Sequence, residues 1–257
     1  RRVGLLAAGG PLLSPATGEP ALVPRFAEDG VTQLGTDFRE LASDLRAVAA
    51  LGEGLRLTAA VYDYRQFDSP RTDLCPPPHA PRNHCLVYEE QFRTLAYAAL
   101  DADLHRAARE LRVAVSYQNQ HERRLRDRPS SLTRNGGRDD VHTVGLVATA
   151  RTAPFRPLPW LSWRLRYGGD LYHDRVQSAA WTTFTDLNVV VPASRGQYLD
   201  GSSYTWGGVF ARGEATLFER LILRAGGRLS GAAARAPADR ESGTRGVDRG
   251  WFTAVGQ

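Results

Sequence analysis

Polar and apolar residues alternate at every second position in repeated stretches of this chain. In residues 160–169, which read WLSWRLRYGG, Trp163 and Leu165 alternate with Arg164 and Arg166. A period of two residues is typical of a β-strand with one apolar and one polar face. A soluble sheet would place the apolar face on a core. A membrane barrel would place it on lipid and turn the arginines toward a lumen.

Nine such regions are predicted along the chain, at 41–50, 55–64, 88–100, 111–120, 141–150, 160–174, 203–217, 221–230 and 251–257. Most of them run for about ten residues, which suits a tilted membrane strand better than a globular strand of about 5–6 residues. The predicted short connections are 51–54, 101–110, 152–159 and 218–220, and the predicted long ones between them are 67–87, 125–138, 175–202 and 231–250. Short turns at one rim and long loops at the other are typical of outer-membrane barrels.

Composition excludes several other classes of protein. No apolar run approaches the roughly 20 residues of a membrane helix, whereas alternating barrel strands are compatible with a hydrophobic content of 42%. The formal charge is +5, and arginine is interleaved with acidic residues along the whole chain. A nucleic-acid binder would gather its cations in one patch, so we expect no nucleic-acid partner. The chain contains no Met and no signal peptide, and we expect it to be a piece of a longer protein.

The alternation assigns side chains to the two faces of the predicted barrel. The residues expected to face lipid include Leu111, Val113, Val115, Leu161, Trp163 and Leu165. The arginines expected to face the lumen are Arg46, Arg56, Arg112, Arg164, Arg166, Arg224 and Arg228. These arginines either attract an anionic ligand or pair with carboxylates on neighbouring strands or on a plug domain.

Aromatic residues in and near the long loops are further candidates for ligand binding. They include Tyr172, Trp181 and Tyr198. Loops on a rigid scaffold commonly carry binding residues. Aromatic residues of a barrel also form girdles at the level of the lipid headgroups, so both interpretations stay open.

The two cysteines enclose a loop that reads CPPPHAPRNHC, from Cys75 to Cys85. Two cysteines that close a short loop favour a disulfide in an oxidising compartment. His79 and His84 lie inside the loop, but a metal site usually needs three or four ligands at tighter spacing. We expect a disulfide and no metal ion.

Catalytic chemistry has little support in the sequence. His142 and His173 each follow an aspartate within three residues, but no nucleophile stands at a recognisable spacing. No phosphate-binding glycine loop is present either. We therefore expect no catalytic residue and no cofactor, and we do not interpret the chain as an enzyme.

Several stretches resemble the barrel of a TonB-dependent outer-membrane receptor. They include LASDLRAVAALGEGLRLTAAVYDYRQFDSPR, YEEQFRTLAYAAL, LRVAVSYQNQHERR, LSWRLRYGGDLYHDRVQS and GQYLDGSSYTWGGVFARGEATLFERLILRAGGRLS. The resemblance implies an all-β, antiparallel transmembrane barrel, of which residues 1–257 form an incomplete part with about nine of roughly 22 strands. The family's N-terminal plug domain and TonB box have no match in this sequence.

The resemblance also implies a location and a role. The location is the outer membrane of a Gram-negative bacterium, with lipid and a small-molecule ligand as partners. The role is import of a scarce nutrient, such as a ferric siderophore, a cobalamin or a glycan, driven by the TonB complex through the missing plug. The alternative is a soluble or secreted β-sandwich that binds a ligand, with its apolar faces packed between two sheets.

Overall fold

The computed structural model is built almost entirely from β-strands. It describes residues 29, 31, 37–71, 85–104, 108–127, 131–193, 195–239, 243 and 245–256. The strands are β1 Arg39–Gly52, β2 Leu55–Pro70, β3 Cys85–Ala102, β4 Glu110–Asp127, β5 Thr133–Arg151, β6 Phe155–Leu158, β7 Leu161–Phe184, β8 Val189–Pro192, β9 Ser203–Leu217, β10 Leu221–Ala236 and β11 Val247–Gly256. No helix among the described residues has the length and apolar character needed to cross a membrane.

All the described strands belong to one antiparallel sheet. Its order is β1-β2-β3-β4-β5-β7-β9-β10-β11, and the short strands β6 and β8 pair with β7. The nine strands of this path confirm the nine predicted strand regions. Because the described strands form no second sheet that could pack on the first, the sandwich alternative is wrong.

The strands are longer than the sequence predicted. The predicted loop 125–138 is wrong over most of its length, since β4 continues to Asp127 and β5 starts at Thr133. Strands also occupy parts of the predicted loops 67–87, 175–202 and 231–250. The prediction followed apolar alternation, whereas the extensions of β4 and β5 are mainly polar on both faces. Ion pairs between strands, such as Arg134–Asp127 at 3.4 Å, take part in joining them.

Tight turns connect the strands at one end of the sheet. Gly54 has φ +69° between β1 and β2, and Phe218 and Glu219 have φ 51° and 56° between β9 and β10. At the other end, residues 185–202 and 237–246 form the longer connections that the sequence predicted. The β4–β5 connection is an exception, because only residues 128–132 separate those two strands.

The strand register places apolar side chains on one face of the sheet throughout the half near the tight turns. One row across the nine strands contains Ala47, Ala59, Ala98, Val115, Leu146, Leu171, Gly207, Gly231 and Phe252. On β7 the same face carries Leu161, Trp163, Leu165 and Tyr167. No described residue on this face is charged within the half near the tight turns, and we call this region the apolar band.

The apolar band remains open to solvent instead of forming a core. Leu45 is 72% exposed, Val209 62% and Leu229 54%. Among the described residues, the buried hydrophobic positions are only Ala60, Cys85, Leu86, Ala99 and Ala150. A sheet that leaves so large a contiguous apolar surface uncovered is built to contact another apolar medium.

Beyond the apolar band, the same face carries a polar belt toward the longer connections. The guanidinium of Arg65 lies 4.8 Å from the ring centre of Phe92, and that ring stacks on His121 at 5.1 Å. The imidazole of His121 bonds Asp140 at 2.7 Å and Glu90 at 2.9 Å. Burial raises the pKa of Asp140, but the hydrogen bonds from Arg138 and His121 outweigh it and lower this pKa below its usual value.

The face assignment predicts different outcomes for arginine at two adjacent positions. Val115→Arg should reduce the free energy of folding into lipid vesicles by about 2–4 kcal/mol, because it places a cation in hydrocarbon. Ser116→Arg should have a mild effect, since position 116 lies on the opposite face. Urea titration of the vesicle-inserted protein measures both changes. Equal losses at the two positions would contradict the assignment.

Candidate functional site

The face opposite the apolar band lines a cavity. Residues from β1 to β10 border one cavity of about 890 Å³ near the tight turns. Strands so distant in the sheet can share a cavity only if the sheet curls with this face inside. We therefore call it the concave face and its interior the lumen, and the apolar band lies on the convex face.

Arginine dominates the floor of this lumen. The cavity is lined by Arg56, Arg109, Arg112, Arg151, Arg164, Arg166, Arg212 and Arg224, and by the acidic residues Asp101, Asp103, Glu110 and Glu214. The arginines outnumber the acidic residues two to one. A lumen with such a surplus attracts anions from solution.

Some of these arginines pair with carboxylates on neighbouring strands. Asp101 accepts hydrogen bonds from Arg56 at 3.2 Å and from Arg112 at 3.0 Å. Arg224 donates to Glu214 at 2.8 Å. These three arginines form the ion pairs with neighbouring strands that the sequence offered as one alternative, and their role in ligand binding stays a prediction.

Other floor arginines have no such partner. Arg164 and Arg166 lie on the concave face, as the sequence predicted, and so does Arg212. None of the three forms an ion pair within the described part of the chain, and neither does Arg46 on β1. Arg164, Arg166 and Arg212 thus contribute to the charge surplus of the floor.

Halfway along the strands, the lumen wall carries an ion pair beside stacked aromatic rings. Arg228 pairs with Asp170 at 2.8 Å and donates to Ser230 at 2.8 Å. Tyr172 stacks on Trp206 with a centroid distance of 4.3 Å. The structure thus places Arg228 and Tyr172 on the concave face, as predicted. Trp206 was not selected from the sequence, because its partners become visible only through the register.

The ligand-binding role of Trp181 stays a prediction, and its ring does not face the lumen. It lies on the convex face, since it pairs with Gly136 in the row of the polar belt. A methyl group at Gly136 would lie 2.2 Å from the indole, so glycine is required beneath the ring. Within a long β7, position 181 has the same parity as Trp163, which the shorter predicted strand did not reveal.

Tyr198 lies in a connection that folds against the concave wall. Its backbone N–H donates to Ser178 Oγ at 3.1 Å, and the Ser178 backbone N–H donates to Asp200 at 3.0 Å. Ser178 Oγ in turn donates to the buried carboxylate of Asp139, which also accepts from Arg124 at 2.8 Å. Residues 195–202 are therefore tethered to β5 and β7, and we call them the tethered loop.

The tethered loop borders a smaller polar cavity of about 350 Å³. The polar residues that line it include Tyr64, Gln66, Gln91, Arg93, Gln120, Gln197 and Tyr198. Amide and hydroxyl groups at this height can donate and accept hydrogen bonds to a ligand that passes toward the arginine floor. The sequence did not predict this amide cluster, since each glutamine alone resembles any solvated strand residue.

The expected disulfide lies partly outside the described residues. Cys75 lies outside the described residues, so the Cys75–Cys85 disulfide stays a prediction; Cys85 is buried at the start of β3. Among the residues that the structure describes, no group of three or more His, Cys, Asp or Glu side chains is arranged to hold a metal ion.

The fold is similar to those of solved structures, although no family model and no curated protein sequence matches the chain. One is the copper transporter OprC, with a TM-score of 0.65 at 13% identity over 88% of this chain and 34% of that chain. Another is a double mutant of the Serratia marcescens hemophore receptor HasR in complex with its hemophore HasA and heme. Its TM-score is 0.58 at 14% identity, over 89% of this chain and 33% of that chain. The chain spans about a third of the length of these structures.

The charge surplus of the floor predicts that the lumen binds small anions. Arg164→Gln combined with Arg166→Gln should weaken binding of pyrophosphate roughly tenfold, because neither guanidinium group forms an ion pair within the described residues. Equilibrium dialysis of the protein in detergent at low salt measures the affinity. Arg175→Gln combined with Arg235→Gln removes the same charge from the convex face and serves as the control. Equal weakening by the two double variants would contradict the prediction.

The carboxylate of Asp139 is predicted to hold the tethered loop in place. Asp139→Asn should speed trypsin cleavage after Arg195, because it removes the ionised acceptor of the Ser178 and Arg124 hydrogen bonds. Time courses followed by mass spectrometry measure cleavage. Asp140→Asn alters a buried acid that faces the polar belt, so it should leave this rate unchanged; equal acceleration by both variants would argue against the tether.

Proposed function

We propose that this chain forms part of the wall of a β-barrel receptor in the outer membrane of a Gram-negative bacterium. The observation that carries the proposal is the strand register, which separates an uncharged convex face from a basic, polar concave face. Hydrocarbon is the medium that a large exposed apolar face fits, and an aqueous lumen fits the arginines. The barrel folds of OprC and HasR support the same conclusion.

The complete barrel contains more strands than this chain supplies. The outer edges of β1 and β11 have no neighbour in the described sheet. Unpaired backbone groups are costly in lipid, so strands from another part of the polypeptide close the barrel. A receptor of the TonB-dependent kind has about 22 strands around a plug, which is enough to close the barrel. Its plug would connect import of the ligand to the energy that the TonB complex supplies.

The role of this wall is ligand uptake without chemistry. Copper and heme belong to the two similar proteins and do not identify the substrate of this one. The arginine surplus at the floor favours an anionic ligand, and iron-loaded siderophores are one class of nutrient with that charge. Lipid, a small-molecule ligand and the TonB complex are the proposed partners.

Uptake by intact cells tests the proposal. Cells that lack the gene and cells that lack TonB should both lose accumulation of the same labelled nutrient, from a panel of ⁵⁵Fe-siderophores, ⁵⁷Co-cobalamin and tritiated oligosaccharides. Membrane fractionation should place the protein in the outer membrane. A periplasmic location, or uptake that depends on the gene but persists without TonB, would overturn the proposal.

Extending the reading frame from both sides of these residues provides an independent check. We expect it to encode a plug domain of about 150 residues and further alternating strands of about ten residues. A frame that adds no strands would contradict the proposed barrel, because the sheet could not close.

A further inference from the structure

The register places two tryptophans on the concave face with one small residue between them. The row contains Trp206 on β9, Ala232 on β10 and Trp251 on β11. We propose that Trp206 and Trp251 are the walls of a slot that binds a planar aromatic ring carrying an acidic group. We call these three positions the tryptophan slot.

The width of the tryptophan slot suits one inserted ring. Neighbouring strands lie about 4.8 Å apart, so the two tryptophan backbones are about 9.6 Å apart. Curvature of the sheet brings side chains on its concave face closer together than their backbones. A ring stacked between two indoles needs about 3.5 Å on each side, or about 7 Å in total. The slot therefore admits one flat ring.

Small residues on β10 leave the space between the two indoles open. Ser230 and Ala234 flank Ala232 on the concave face, each two residues away along β10. Each of these side chains ends at Cβ or one atom beyond it, so none fills the space between the indoles. The slot thus continues along β10 toward Ala234, and the guanidinium of Arg228, which donates to Ser230 at 2.8 Å, closes the opposite side.

One wall is held in position by the neighbouring strands. Tyr172 stacks on Trp206 at 4.3 Å, with an angle of 19° between the ring planes. A methyl group at Gly145 would lie 2.6 Å from the Tyr172 ring, so glycine allows the tyrosine to lie there. Tyr172 thus covers one side of Trp206, and the indole nevertheless remains 39% exposed. The side toward Ala232 is available to a ligand.

The second wall is more open. Trp251 is 52% exposed on the concave face of β11, although burial of such a side chain would stabilise a protein strongly. Its exposure on the polar lumen side separates it from Trp163, whose indole lies in the apolar band. An exposed aromatic face in an aqueous cavity is a surface for ring stacking.

A cation beside the slot determines the charge of the ligand. Arg249 lies two residues from Trp251 on the same face and pairs with Ala234 across the strands. It forms no ion pair within the described part of the chain. Arg228, near the other end of the slot, is already neutralised by Asp170. Arg249 is thus the group that selects a carboxylate or phenolate attached to the ring.

This inference deepens the proposed function, since the slot lies in the proposed lumen and names the chemistry of a ligand there. Equilibrium binding tests it separately from transport. Loss of the proposed TonB-dependent uptake with intact slot binding would refute only the transport role. Absence of slot binding would refute this inference and leave the transport role standing.

Binding of 1-naphthoate to the purified protein in detergent tests the slot. Saturable binding, followed by the fluorescence of naphthoate, should weaken roughly tenfold or more in Trp206→Leu and in Trp251→Leu. Trp163→Leu removes an indole from the convex face and should leave the affinity unchanged. Absence of saturable binding, or equal weakening by all three variants, would overturn the proposal.

Two further pairs of variants distinguish loss of the slot from misfolding of the protein. Ala232→Leu keeps both indoles but fills the floor, and it should abolish binding, whereas Ala233→Leu on the convex face should not. Arg249→Gln should remove the preference for 1-naphthoate over 1-naphthalenemethanol, and Arg235→Gln, which faces outward, should retain it. Unchanged binding in Ala232→Leu, or equal affinity of the wild type for acid and alcohol, would contradict the proposed slot.

Discussion

The continuous backbone ladder is the constraint on which the rest of this structure depends. Each of the nine long strands bonds its neighbour in antiparallel register, with described irregularities only near Ala50 and near Tyr88. Side chains alternate strictly along each strand. An unbroken register therefore fixes, for every strand of the sheet, which residues lie on the convex face and which on the concave face. A one-residue slip in any strand would turn its arginines toward the apolar side.

The ladder explains why the protein has so little core. Its backbone polar groups are satisfied by neighbouring strands, so stability does not require burial of large side chains against a second layer. The apolar residues are instead collected on the convex face, where leucines and valines remain exposed. Such a face fits an apolar medium, and the proposed outer-membrane location supplies one.

The lumen combines three chemistries at different heights. Unpaired arginines occupy the floor near the tight turns, stacked aromatics lie midway, and amides and the tethered loop lie near the longer connections. The buried Ser178–Asp139–Arg124 network joins the loop to the wall, so the upper lumen has a defined shape. A ligand entering from the loop side would meet polar groups first and the strongest positive charge last.

The sequence by itself determined the number of strands in the main path of the sheet, three of the four connections that were predicted to be long, and the two faces. Each of these depends on local alternation, which Val113, Val115, Arg164 and Arg166 display within a few residues. Only the tertiary structure decided where the polar strand extensions end, that Trp181 faces outward, and that Trp206, Ala232 and Trp251 share a row. Those outcomes depend on pairing between residues distant in the chain, and alternation within one strand carries no information about its neighbour's register.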